Sequence, residues 1–293
     1  MTAKAWTAAL ALALLLPAAA FAEERFAHGL LWRVSRDGVA PSYVFGTIHV
    51  PDPRVLDLPE PVDRALARSK HLYIETVLGP REQARFFEAA QFEDGRRLEP
   101  LIGAESYARV AEDLRRRNVP DEVIARIKPW AALVNLTVLP DDYASETLDQ
   151  KLAAAARGRG VRVLGLEGIE EQIAVFERIP LETQVQLLRH ALAHRDELAA
   201  MIEPTIQAWL HRDLAGLRAV GERVGARYPE VAAHYRILFR SVVENRTVVM
   251  AHRLFMPLRE GRAFVAVGAD HLYGERGLLA LIAEQGYRVA RVD

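Results

Sequence analysis

Two stretches near opposite ends of this chain share one short pattern, and no other feature constrains the fold as strongly. Ser42-Tyr-Val-Phe45 is β-branched and aromatic and runs into Gly46-Thr-Ile-His49. Ala263-Phe-Val-Ala-Val267 is fully apolar and runs into Gly268-Ala-Asp-His271. In each, a strand ends at glycine and a histidine follows three residues later. Glycine at that point permits positive φ and close backbone approach. The chain then turns sharply and projects the histidine over the carboxyl edge of a sheet, where open α/β sheets bind ligands. The competing reading is two histidines satisfied as turn caps.

The remaining elements decide what lies between these ends. His71-Leu-Tyr-Ile74 is a third strand, reached through a helix starting near Pro59, and Val161-Arg-Val-Leu-Gly-Leu166 is a fourth. Strand, loop, helix and strand in about 35 residues fit a βαβ unit with parallel pairing. Glu105 to Arg117 has apolar residues at helical spacing, Pro120 and Pro129 punctuate the next two helices, and Thr147 to Arg157 is another. From Leu181 to about Leu258 the pattern is almost unbroken helix, divided at Pro204, Gly216, Gly225 and Pro229. Gly277 to Gln285 then reads as a helix, with Gly286 as its C-cap, and Tyr287 to Val292 as a last strand. The expected fold is therefore α/β: a central, mostly parallel sheet built from both ends of the chain, with a large helical insertion between its halves.

The N-terminus has the three-part layout of a secretory signal peptide. Lys4 supplies the positive start, Ala8 to Leu16 the apolar run, Pro17 the break, and Ala20-Phe21-Ala22 the small residues before Glu23. Residues 1–22 are thus expected to be a leader cleaved after Ala22, giving a periplasmic or secreted protein. Residues 23–293 are expected to form a single α/β domain, with helical insertions over about 100–160 and 180–260. No later segment is apolar for long enough to span a bilayer, so no integral membrane segment is expected in the mature chain. Lys plus Arg number 38 against 39 Asp plus Glu, interspersed, which argues against the basic stripe of a nucleic-acid binder. With no cysteine in the chain, thiolate metal sites are excluded and any metal must be held by His, Asp or Glu. There is no G-x-S-x-G elbow, phosphate loop or dinucleotide fingerprint.

Two carboxylates belong with the histidines. Glu75 ends the third strand and Glu167 the fourth. If the four strands run parallel, His49, Glu75, Glu167 and His271 converge on one edge. Two imidazoles with one or two carboxylates suit Zn²⁺, Mn²⁺ or Co²⁺, and a second carboxylate can serve as base to a bound water. Each glutamate also precedes a helix, where a negative charge is stabilised by the helix dipole alone. Arg246 either balances these carboxylates or forms a salt bridge between helices. Asp149 is either a site residue or a first-turn helix charge. His190 and His194 lie four residues apart on a helix with charged neighbours, which points to an exposed face; Trp130 and Trp209 read as core.

These residues also carry a resemblance. Leu31-Trp-Arg-Val34, Val44-Phe-Gly-Thr-Ile-His49, Ile74-Glu75, Leu148-Asp149, Leu164-Gly-Leu-Glu167 with Glu171-Gln172, Asn245-Arg246, and Val265-Ala-Val-Gly-Ala-Asp-His-Leu272 resemble, in order, the motifs of the TraB/GumN family. Tyr273 stands where that family often has proline, and Glu244 where it often has arginine. The resemblance implies a metal-dependent hydrolase, peptidase-like as in the Tiki-like animal members. His49, Glu75 and His271 would be the metal residues, and Glu75, Glu167 and Arg246 the catalytic ones. The partner would be a peptide or small-molecule substrate. Erythromycin-esterase-like relatives imply an alternative, a metal-free hydrolase in which His49 activates water and Glu75 sets its tautomer. A protein that merely holds a ligand or peptide in the same cleft is the third reading.

Overall fold

The structure is a computed structural model that describes residues 25–136 and 146–292. The leader expected over residues 1–22 lies outside the described residues. Six strands form one sheet: β1 (Leu31–Arg36), β2 (Val39–Thr47), β3 (His71–Ile74), β4 (Arg162–Gly165), β5 (Ala263–Gly268) and β6 (Arg288–Arg291), in the order β4-β3-β5-β2-β1-β6. β4, β3, β5 and β2 pair in parallel, while β1 runs antiparallel to both its neighbours. The sheet is α/β, mostly parallel and built from both ends of the chain.

β1 was not evident among the strand patterns above. It forms a hairpin with β2 in which Arg36 faces Val39 across the Asp37-Gly38 turn. Gly38 has a φ of 76°, a conformation glycine adopts without steric cost, and Asp-Gly is a strong short-range hairpin signal. The residues that resembled the family's opening motif are thus a strand in their own right.

β5 is the keystone. Ala263 to Val267 are at most 1 % exposed, as expected for a strand flanked on both edges and covered on both faces. It inserts between β3 and β2, so the last large piece of chain completes the middle of the sheet. From β3 the chain proceeds to β4 at one edge, and from β5 to β6 at the other. Onward connections that leave in opposite directions open a crevice at the carboxyl ends of β3 and β5.

Helices account for the rest, in two packing environments. Those that sandwich the sheet share its core, including Leu148, Leu152, Trp209, Leu214, Met250 and Leu279. A second apolar cluster is made wholly by helices, from Leu98, Ile102, Val110, Leu114, Ile124, Trp130, Leu188 and their neighbours. Trp130 stacks on Phe176 with centroids 5.1 Å apart. Trp130 and Trp209 are both buried, as their surroundings in the sequence suggested. His190 is a correction: its side chain is buried, packed against His194, Tyr228 and Tyr235, because the helix Pro229–Phe239 covers the face that looked exposed. Among the described residues no helix is long and apolar enough to cross a membrane.

Candidate active site

The strand register brings the acidic residues together. The ladder between β3 and β4 continues past the strands, with Leu166 N–H donating to Ile74 O at 2.8 Å and Glu167 N–H to Glu75 O at 2.8 Å. Both glutamates therefore leave the sheet at one level. Between their carboxylates sits Arg246. Its Nη2 donates to Glu75 Oε2 and to Glu167 Oε2, each at 2.6 Å, and its Nε donates to Glu167 Oε2 at 2.9 Å. A fourth donor, on Nη1, reaches Val242 O at 3.1 Å.

A short π-helical turn, Arg240–Glu244, precedes the helix Asn245–Arg253 and explains how Arg246 gets there. Such turns shift carbonyls out of the regular ladder and recur at functional sites. Here the carbonyl of Val242 takes the Arg246 guanidinium and that of Val243 takes the Thr247 hydroxyl at 2.8 Å. Nothing in the hydropathy pattern marks this turn.

Both glycines of the repeated pattern are needed for close approach. Neither is among the residues of positive φ. A Cβ on Gly46 would lie 2.8 Å from a Leu272 methyl and 3.2 Å from Ala269 Cα; one on Gly268 would lie 3.2 Å from Glu75 Oε1. Glycine at 268 lets the carboxylate come down onto the backbone, where Gly268 N–H donates to Glu75 Oε1 at 2.7 Å.

The two histidines are each tied at one nitrogen. His49 Nδ1 lies 3.1 Å from Asp149 Oδ2, and Thr47 Oγ1 donates to the other Asp149 oxygen at 3.0 Å. Asp149 is in the first turn of the helix Leu148–Gly158, whose N-terminus is closed by a Thr147–Gln150 capping box. His271 Nδ1 lies 2.7 Å from Thr247 Oγ1. The Thr247 hydroxyl has one proton, and Val243 O already accepts it. The proton in the His271 contact must therefore sit on Nδ1, which leaves a lone pair on Nε2. That lone pair stands 3.7 Å from Glu75 Oε1, acceptor against acceptor. Such a juxtaposition calls for a proton donor or a cation between the two atoms.

Electrostatics split the pair of histidines. The hydrogen bond to Asp149 is the main cause that pushes His49 up to about 9, against the opposing effect of burial. Its side chain is 60 % exposed at the mouth of the cleft, so water screens part of this attraction. Burial pushes His271 down to about 4, which keeps it neutral near pH 7. Burial alone would also raise Glu75, but the fields of His271, Arg246 and His49 and the Gly268 N–H reverse this and hold it at about 2. Glu75 is thus ionised, and the two carboxylates outnumber the guanidinium between them.

His49, Glu75, Arg246 and His271 line one cavity of about 390 Å³, and His49, Glu75, Arg246 and Asp149 line a second of the same size. Glu167 is 4 % exposed and turned wholly to Arg246.

A sequence model of the TraB/PrgY/gumN family matches residues 30–291. The chain belongs to the TraB/PrgY/gumN family. Among curated relatives of this family member, a "Metalloprotease TIKI homolog" of Amphimedon queenslandica is 23 % identical over 91 % of the chain and 62 % of the relative. "Metalloprotease TIKI2" of Danio rerio is 24 % identical over 89 % and 60 %. "Uncharacterized protein YbaP" of Escherichia coli (strain K12) is 29 % identical over 45 % and 46 %. The chain spans about three fifths of the length of the TIKI proteins it matches. No solved structure matches it at a significant level.

Among the described residues of this TraB/PrgY/gumN chain, no three His, Asp or Glu side chains converge closely enough to hold a metal ion as they stand. Arg246, bonded to both glutamates, is the physical reason on the carboxylate side. The donor set nevertheless suits a divalent cation in kind, with two histidines lining one cavity beside an ionised carboxylate. Each Nδ1 is tied to an outer partner, the arrangement that orients histidine ligands. One partner escaped the sequence: Thr247 carries no signal beyond its place after Asn245-Arg246. Asp149, open in the sequence between a site residue and a first-turn helix charge, lies against His49 in the first turn of its helix.

Proposed function

We propose that this chain is a hydrolase of peptide-like acyl bonds that works in the cleft over the carboxyl ends of β2, β5 and β3. The observation that carries this reading is the Thr247–His271–Glu75 arrangement, in which a lone pair on an oriented imidazole stands 3.7 Å from an ionised carboxylate. His49 Nε2, His271 Nε2 and Glu75 Oε1 would hold a divalent cation, Zn²⁺, Mn²⁺ or Co²⁺. Such an ion supplies a polarised carbonyl and a more acidic bound water. The chain's own residues do the rest. Asp149 and Thr247 fix the two imidazoles, Gly268 N–H and Arg246 keep Glu75 ionised, and Glu167 neutralises and anchors Arg246. Arg246 has five N–H donors, of which four are used; the remaining Nη1 proton is available to an oxygen that gains charge.

Elemental analysis, with protein purified without chelator or tag histidines, tests the cation. Near-stoichiometric metal is expected in the wild type and little in the His49→Ala/His271→Ala double variant. Equal trace amounts in both would remove the cation from this reading.

A second, metal-free reading is favoured by the clamp of Arg246 on Glu75 and by the acid–base contrast of the histidines. Neutral His271 would take a proton from water and His49, held protonated by Asp149, would give one to the leaving group. In this reading Asp149, rather than Glu75, would orient the His49 ring. Activity that persists through exhaustive chelation selects this reading. Export is part of the proposal and rests on the leader pattern; a mature N-terminus at Glu23, read by Edman sequencing of the processed protein, is the expected result.

A further inference from the structure

The cavity beside β3 is walled along one side by the helix Leu148–Gly158. Leu148, Leu152 and Ala156 of this helix turn into the core, while Asp149, Gln150, Ala153 and Arg157 line the cavity. At about 100° per residue those four positions fall within one stripe of the helix surface.

The stripe carries a charge at each end. Asp149, at the inner end, is held against His49 and takes the Thr47 hydroxyl. Glu75, the other acid lining the cavity, is bonded there to Arg246. Arg157, at the outer end, has no carboxylate of its own: among the described residues nothing accepts from its guanidinium. The helix dipole favours a cation in this last turn but gives it no hydrogen-bond acceptor. Arg159, two residues on, shows the ordinary fate of such a cation, an ion pair with Asp63 at 2.6 Å.

The neighbours of Arg157 in the cavity decide which anion suits it. Gln150 Oε1 accepts from Thr147 N–H at 2.9 Å, so the amide hydrogens of Gln150 are not spent on the capping box. Gln172 adds a second amide, from the first turn of the helix Ile169–Glu177. One guanidinium among neutral amides matches a carboxylate, which spreads a single charge over two oxygens that fit the guanidinium fork. A phosphate dianion would keep surplus charge unmatched. From Asp149 to Arg157 the helix rises about 12 Å, and a helical side chain leans back toward the N-terminus, which shortens that span.

We propose that Arg157 is a specificity-determining residue, which selects substrates with a carboxylate about 10 Å from the bond that reacts. This deepens the hydrolase reading and rests on it only for the reaction; capture of the carboxylate depends on Arg157. The carboxylate belongs either to an acidic side chain or to a chain end.

Calorimetry on the full chain, with mass spectrometry of any products, tests this with short N-acetylated alanine–glycine peptides. Three are amidated at the carboxyl end and carry Glu, Gln or Lys at the centre. A fourth has no charged side chain and a free carboxyl end. The Glu peptide or the free-acid peptide is expected to bind roughly tenfold tighter than the Gln peptide, by a margin that shrinks as salt rises. The first result assigns the carboxylate to a side chain and the second to a chain end. Arg157→Gln should erase the margin, and Arg157→Glu should reverse it in favour of the Lys peptide. Arg159→Gln, close by but already paired, should leave it intact. Equal binding of all four peptides to the wild type, or a margin that survives Arg157→Glu, overturns the proposal. A margin without cleavage keeps the anchor and removes the hydrolase. Cleavage without a margin does the reverse.

Discussion

The sheet edge and the helical layer each bury a cluster of charges, and the two are inverted. At the sheet edge one arginine, Arg246, serves two carboxylates, Glu75 and Glu167, and all three side chains are at most 14 % exposed. In the helical layer one carboxylate, Asp113, fully buried, serves three arginines: Arg195 at 2.7 Å, Arg116 at 2.8 Å and Arg117 at 3.3 Å. The difference lies in where the surplus goes. Arg116 and Arg195 are 51 % and 36 % exposed, so the excess positive charge reaches water. The excess negative charge at the sheet edge stays inside, next to a cavity. A buried charge whose surplus is solvated holds helices together; one whose surplus faces a cavity is equipped to attract something.

The largest expected effect separates the two regions by activity. His49→Ala and His271→Ala should each lower kcat/KM on a cleaved peptide roughly 10²- to 10⁴-fold while the far-ultraviolet spectrum stays unchanged. His190→Ala, in the helical layer, should leave kcat/KM within a small factor. Equal losses at all three would mean that the histidines act through the fold, and the contrast between the regions would collapse.

Stability separates them next. Arg246→Met removes the partner that two buried carboxylates share and should cost about 3–5 kcal/mol in urea unfolding. Adding Glu167→Gln should recover part of that loss, as a double-mutant cycle would show. Asp113→Asn keeps a hydrogen-bonding side chain among arginines that reach water, so a smaller loss, about 1.5–3 kcal/mol, is expected. A larger loss at Asp113 than at Arg246 would reverse the assignment of which surplus is buried.

The outer partners come third. Thr247→Val keeps the shape of the side chain but removes the acceptor for His271 Nδ1–H, freeing the imidazole to change tautomer. A drop of roughly 10- to 100-fold in metal affinity or activity is expected, against little change for Thr183→Val. The Thr183 hydroxyl lies 3.0 Å from His234 Nδ1 in the helical layer and touches none of the site.

What the sequence revealed of this contrast follows from where the information sits. The strand–glycine–x–x–histidine pattern is local, so the placement of His49 and His271 at strand ends could be read directly. The convergence of Glu75 and Glu167 needed only that β3 and β4 run parallel. Arg246 is legible in the sequence as a charge that either balances the carboxylates or bridges helices; the π-helical turn Arg240–Glu244 that precedes it leaves no mark in hydropathy. Thr247 matters for one proton already given to Val243 O, which no pattern of residue types expresses. In the helical layer the misreading of His190 has the same origin. Its own helix has polar neighbours, and only the packing of the helix Pro229–Phe239, distant in sequence, buries it. β1 has a local signal of its own in Asp37-Gly38, a hairpin turn between two apolar runs.

The smallest effect probes that buried histidine. His190 stacks on His194 with centroids 4.4 Å apart, and its Nδ1 meets the Tyr235 hydroxyl at 3.2 Å. Burial is the main cause that pushes its pKa down, with the field of His194 adding to it and Glu230 and Glu197 opposing. In the unfolded chain His190 titrates near the ordinary histidine value of about 6.5. A pKa lowered on folding means that the unfolded state binds the proton more readily. Its contribution is therefore fully present above about pH 6.5 and is lost as pH falls toward the folded value. The melting temperature should decline modestly from pH 7 to pH 5, and His190→Phe, which keeps an aromatic ring against His194 and Tyr228, should flatten that part of the slope. An unchanged slope in the variant would assign the acid sensitivity to the sheet edge, where His271 is shifted in the same direction.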